Sequence, residues 1–178
     1  MSDFIGPTDR ERGVILEDAV TFFERQINRR NYPRLASVFD YWNFQRSGKY
    51  VTNKNDFSLA ELPAETIPYC MMVDARADGP EFVYRFWGTK CVEITKQEMT
   101  GMNVKAIEPR EVADENYKFY CLAYAKNAPL VFAKTQVNAF LLHSEDLFLS
   151  VPLTNNGDKS DYILTVFEQP TRMREDVE

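Results

Sequence analysis

Residues 82–101, FVYRFWGTKCVEITKQEMTG, constrain the fold more than any other part of this chain. The first six residues are aromatic or β-branched apart from Arg85, a composition that suits a pleated, half-buried strand. Alternation along a strand puts Phe82, Tyr84 and Phe86 on one face and Val83, Arg85 and Trp87 on the other. Gly88 breaks the strand, and Thr89 is placed to cap a helix start through its hydroxyl. A short polar helix through 93–98 is expected to stop near Thr100-Gly101, where glycine accepts the positive φ of a helix end. A strand that turns straight into short helices must be covered by them.

The rest of the chain is read around that unit. Thr8 and Glu11 form the Thr-x-x-Glu pair of a capping box, and Leu16, Val20, Phe23 and Ile27 follow at helical spacing. The spacing predicts an amphipathic helix over 9–29, whose stripe must be buried either on the domain or against a partner. A second stripe, Leu35, Val38, Phe39 and Trp42, starts after Asn31-Tyr32-Pro33 and ends at Ser47-Gly48. Residues 69–75 read as the first core strand, and Asp78-Gly79 as a hairpin turn into 82–87. A helix is expected from Pro109 to about Asn127. Three strand-like runs follow at 130–142, 147–153 and 162–167. In the first, Val131, Ala133, Thr135, Val137 and Ala139 are read as the core face. Asn155-Asn156-Gly157-Asp158 is a strong hairpin signal, residues 143–146 read as a polar turn, and 170–178 as a charged tail. Two strands, a helical excursion and three strands make an α+β layout with an antiparallel sheet and helices on one face.

Composition narrows the function. A length of 178 residues suits one domain, and 44% hydrophobic residues are enough for a sizeable core. A net charge of −6 gives no electrostatic footprint for nucleic acid. No apolar run approaches the ~18 residues of a membrane span, and the N-terminal residues lack a signal-peptide core, so a cytoplasmic location is expected. Cys70, Cys91 and Cys121 are odd in number and widely spaced, which suits free thiols in a reducing compartment rather than a disulfide framework or metal pair.

Four motifs in order resemble the PAS domain family, in the branch common as stand-alone or amino-terminal modules in alphaproteobacteria. They are Phe39-Asp40-Tyr41-Trp42, Tyr84-Arg85-Phe86-Trp87-Gly88-Thr89, Thr100-Gly101 and Val151-Pro152-Leu153-Thr154-Asn155-Asn156-Gly157. The resemblance covers roughly residues 35–169. It implies a PAS-like five-stranded antiparallel sheet for residues 31–169, with the added N-terminal helix of residues 1–30 packed across the sheet or in a dimer interface.

The chemistry points to binding rather than catalysis. His143, the only histidine, falls in the turn at 143–146 and reads as a solvated residue, and no Gly-x-Ser-x-Gly elbow or phosphate-binding glycine loop is present among seven glycines. Haem ligation has only Cys91, Cys121, Met99 and Met102 to offer, each better read as core filler. Flavin-binding PAS proteins carry a reactive Cys in an Asn-Cys-Arg-Phe context, which Lys90-Cys91-Val92-Glu93 does not match. Tyr84, Phe86, Tyr117, Tyr120, Tyr124 and Phe132 are the candidates to line a pocket between sheet and helical excursion. Arg85 is placed either to hold an anion in a bidentate fork or to make a structural ion pair. Leu16, Val20, Phe23 and Ile27 are the candidate dimer or partner surface. The expected function is a non-enzymatic sensory or regulatory module. It would bind an unidentified small molecule or a signalling protein, such as a two-component kinase, and signal through a partner because no effector is expected on the chain. A small enzyme or ligand carrier, and a purely structural dimerisation module, are the alternatives.

Overall fold

The computed structural model describes residues 15–76, 81–137 and 143–169. The helix start at Thr8, the turn at Asp78-Gly79, Ala139 and the tail at 170–178 lie outside them. The sheet contains β1 (Ile15–Asp18), β2 (Thr52–Asn53), β3 (Cys70–Arg76), β4 (Glu81–Trp87), β5 (Leu130–Val137), β6 (His143–Thr154) and β7 (Tyr162–Glu168). The helices are α1 (Ala19–Glu24), α2 (Gln26–Asn31), α3 (Pro33–Gln45), α4 (Thr89–Thr95) and α5 (Arg110–Lys126).

The five expected strands pair in the order β5-β6-β7-β3-β4, every neighbour antiparallel. Two short strands add to them: β1 pairs antiparallel with the outer edge of β5, and β2 pairs parallel with the end of β6. The turn expected at 143–146 is instead the start of β6, where His143 pairs with Val137.

The N-terminal segment departs most from its sequence pattern. In place of one helix, Ile15–Asp18 is a strand, followed by two six-residue helices broken at Arg25 (φ −78°, ψ 109°). A free β5 edge offers Ile15-Leu16 a hydrogen-bond ladder, which outweighs a helical periodicity that carries little stability without packing. The break is held by side chains: Asn28 Nδ2 donates to the Phe22 carbonyl at 2.9 Å and Arg29 Nε to that of Phe23 at 3.1 Å. Asp18 caps α1 by accepting from the Thr21 amide at 3.1 Å.

Helices cover both faces of the sheet, not one. On the first face α1 and α3 bury Phe22, Phe23, Leu35, Val38, Phe39 and Trp42 against Leu149, Val151, Leu153, Leu164 and Val166. Trp42 Nε1 donates to the Pro152 carbonyl at 2.7 Å, and Thr52 Oγ1 donates back to the Trp42 carbonyl at 2.9 Å. The first turn of α3 is capped from the far end of the chain, since Glu168 accepts from the amides of Arg34 (3.0 Å) and Leu35 (3.2 Å). Ser47 (φ 47°) and Gly48 (φ 79°) end the segment after α3 in left-handed conformation, as expected. The second face carries α4, a single 3₁₀ turn at Val104–Ala106, and α5.

Candidate functional site

The second face owes its geometry to a bulge. In the β3–β4 pairing Met72 opposes Phe86 but Val73 opposes Tyr84, so Arg85 is an extra residue in β4. The bulge resets the alternation. Phe82, Tyr84 and Trp87 share the buried second face, while Phe86 turns to the first face and packs on that cluster. Simple alternation, which placed Phe86 with Tyr84, fails at this point.

The motif that follows β4 holds Tyr84 in place. Gly101 N–H donates to the Tyr84 carbonyl at 2.7 Å and the Tyr84 amide donates to the Met102 carbonyl at 2.9 Å. Gly88 is required for space: a Cβ there would sit 2.2 Å from the Pro68 carbonyl oxygen, although its φ of −65° is open to any residue. Helix α4 begins directly after it, earlier than expected, and is ended by Lys96 in left-handed conformation rather than by Gly101.

Helix α5 then lies over the sheet. Val112, Asn116, Phe119 and Tyr120 recur at helical spacing and face it. Opposite them Phe132, Phe148 and Phe167 stand side by side across β5, β6 and β7, Phe132 stacking on Phe148 at 4.7 Å. Between these layers is a cavity of about 120 Å³, completed by Met71, Tyr84, Trp87, Cys91, Asp146 and Thr165 among others. That is smaller than the ~300–1,000 Å³ of a typical ligand cleft. It is near the ~150 Å³ cavity in which benzene binds in another protein.

Its polar groups are few and buried. Tyr84 is 1% exposed and Thr165 2%, and neither hydroxyl completes a hydrogen bond within the protein. The Tyr84 hydroxyl lies beside Tyr120 and Asn116, and that of Tyr120 beside Thr165. Burial, reinforced for Tyr84 by its neighbour Tyr120, drives both phenols well above their ordinary range, so both stay protonated. Burial also pushes the Cys91 thiol up to about 12, and its Sγ faces the Cys70 carbonyl at 3.9 Å. A thiol so protonated is a poor nucleophile.

Of the expected pocket residues, Tyr84, Tyr120 and Phe132 line the cavity. Tyr117 and Tyr124 do not. They flank Phe82 at 6.0 and 6.2 Å, beneath Lys105 and Lys159, because their positions on α5 point past the cavity's end. Arg85 is displaced by the bulge to the outside, where it grips Asp74 in a bidentate pair (2.6 and 3.0 Å) and lies over Tyr162. The ion-pair alternative is the one the structure supports. Of the expected partner surface, Phe23 is buried in the core while Val20 and Ile27 are 45% and 64% exposed. Sequence reasoning missed Trp87, Asn116, Phe119 and Thr165. Asn116 and Phe119 were legible in the α5 spacing, and Thr165 as a hydroxyl inside an apolar strand; Trp87 needed the bulge.

The space and residues present do not fit a flavin, whose fused rings need a larger cleft and whose cysteine context is missing. Among the described residues no three metal-ligating side chains converge, and no helix is long and apolar enough to cross a membrane.

No protein-family model matches the chain, and no curated protein matches it. Among solved structures it is similar to a LOV protein of Rhodobacter sphaeroides (TM-score 0.43, 16% identity over 59% of this chain and 60% of that one). It is also similar to the dark-state LOV domain of the photoreceptor Aureochrome1 (0.42, 15%, 68% and 89%). A third is the LOV domain of a blue-light-activated histidine kinase of Erythrobacter litoralis (0.40, 12%, 56% and 93%). The chain thus spans less than two thirds of the first of these, and similarity at this level carries no chemistry across. The strand order, the helical excursion between β4 and β5 and the layer of α5 over the sheet make this an α+β fold on an antiparallel core sheet, the layout expected from the sequence.

Proposed function

We propose that this chain is a non-enzymatic sensory or regulatory module. It holds a small molecule between the sheet and α5 and passes its state to a signalling partner, such as a two-component kinase, in a reducing, cytoplasmic setting. One observation carries the reading: an aromatic cavity whose buried Tyr84 and Thr165 hydroxyls are left for an occupant to satisfy. Burying such groups unpaired costs about 1–3 kcal/mol each, a cost that an occupant's hydrogen bonds would offset. Binding is favoured over catalysis because the Cys91 thiol and both phenols on the lining are held protonated. Val20 and Ile27, exposed on adjacent short helices, are the surface we assign to a homodimer or partner.

Native mass spectrometry of freshly purified protein, set beside the denatured sample, tests both parts. A mass excess lost on denaturation is expected for an occupied cavity, and a doubled mass for the dimer. A bare species that also fails to take up any added small molecule would overturn the sensory reading.

A further inference from the structure

We infer that the cavity under α5 takes a small, neutral, single-ring aromatic molecule bearing one hydroxyl group, a phenol-class ligand. The inference deepens the proposed function and rests on it. Size comes first: about 120 Å³, near the volume of a cavity that holds benzene, suits one six-membered ring and a substituent. Shape comes next. The floor is the row Phe132, Phe148 and Phe167, one phenylalanine from each of three neighbouring strands, and Phe119 and Trp87 supply walls. Phe132 and Phe148 stack on each other, so their edges form the floor. Ring edges favour the face of an aromatic ligand over an aliphatic chain of equal volume through edge-to-face contacts.

Charge excludes anions. No lysine, arginine or histidine is among the described lining residues, so a carboxylate or phosphate would be buried without a counter-charge. Asp146, the one carboxylate on the lining, is engaged within the protein but keeps its Oδ1 without a hydrogen bond, and the benzylamine arm of the test reads whether an ammonium pairs with it. Hydrogen bonding then selects the substituent. Tyr84 Oη and Thr165 Oγ1 each combine a donor with acceptor lone pairs, as a ligand hydroxyl does, and both are at least nine-tenths buried and unsatisfied. Because both tyrosines on the lining stay protonated, their donors persist across the physiological pH range.

The test is calorimetric titration of the full chain with phenol, toluene, benzoate and benzylamine, for wild type, Tyr84→Phe, Thr165→Val and the double variant. In wild type, phenol is expected to bind about tenfold more tightly than toluene, the difference that one net hydrogen bond makes. Each single variant should shrink that preference and the double variant abolish it, with toluene affinity preserved. Both substitutions are nearly isosteric and remove an unsatisfied group, so an unchanged circular dichroism spectrum and an undiminished Tm establish that they fold. Toluene binding as tightly as phenol overturns the inference, as does benzoate or benzylamine binding more tightly, or a preference that survives in the double variant. Failure of all four probes alongside a different co-purified mass overturns the ligand class alone. Failure of all four with no co-purified mass overturns the sensory reading as well.

Discussion

The two faces of the sheet are built from the same seven strands and differ in how their buried polar groups are finished. On the first face α3 packs its aromatic stripe on the centre of the sheet, where the polar atoms are paired, Trp42 Nε1 with the Pro152 carbonyl and Thr52 Oγ1 with that of Trp42. A hollow of about 150 Å³ lies toward the β1 edge, among Phe22, Tyr32, Val131 and Leu147. On the second face α5 touches the aromatic floor through Phe119, 3.7 Å from Phe132, and leaves beside that contact a cavity where Tyr84 and Thr165 keep hydroxyls that no protein group satisfies. Interiors are usually packed densely, with their buried polar groups paired. A face whose central polar groups are paired serves stability, and one that leaves hydroxyls unpaired around a cavity is arranged for something else.

Trp42→Ala probes the packed face hardest. Removing an indole that is almost wholly buried should cost about 3–5 kcal/mol in urea unfolding. A loss under ~1 kcal/mol would deny that the first face is the stabilising one. Gly88→Ala tests the joint between them. Its Cβ would collide with the Pro68 backbone, so a loss of about 1–3 kcal/mol is expected, and an unchanged denaturation midpoint would show that this approach is not needed.

Glu168→Ala removes the cap on α3 and should cost about 0.5–2 kcal/mol, whereas Glu168→Gln, which keeps an acceptor, should cost less. The pH dependence separates the charge from the hydrogen bonds. Burial raises the Glu168 carboxyl in the folded state, so folded protein binds more protons than unfolded protein between the two pKa values. The unfolding free energy contributed by this group therefore falls as pH rises from the ordinary carboxylate range through the raised value. Subtracting the Glu168→Gln stability profile from that of wild type should reveal this slope; coincident profiles would contradict it.

On the cavity face the sign reverses. Tyr84→Phe in ligand-free protein should leave stability unchanged or raise it by up to ~1 kcal/mol, because a hydroxyl without a partner is removed. A clear loss in thermal unfolding would mean that hydroxyl is satisfied after all, and the contrast between the faces would weaken. The smallest effect belongs to Arg85→Ala. Its pair with Asp74 is half exposed, and such pairs contribute ~0–1 kcal/mol. A loss of phenol binding in this variant would return Arg85 to the site.

Much of the fold was legible because it rests on local physics. The runs at β3, β4, β6 and β7, the α3 stripe, and the turns at Gly48 and Gly157 follow from alternation, helical spacing and the φ that glycine tolerates. The candidate site was legible only in part. Tyr84, Tyr120 and Phe132 were found, while Phe86 and Arg85 were misplaced by a single inserted residue, since a bulge reverses every assignment beyond it. Nothing in the sequence from 82 to 87 marks where that residue falls, because any of its apolar side chains can pack on either buried face.

The sequence by itself determined the α+β order of elements, the four-motif resemblance and the absence of a charge pattern for nucleic acid, because these depend on residues near one another in the chain. Only the tertiary structure decided that residues 15–18 join the sheet, that helices cover both of its faces, and that Glu168 caps a helix more than a hundred residues away. It alone decided that Tyr84 and Thr165 meet one cavity. Those outcomes depend on which edge is free and which buried group finds a partner, and both are settled only when distant segments compete for the same space.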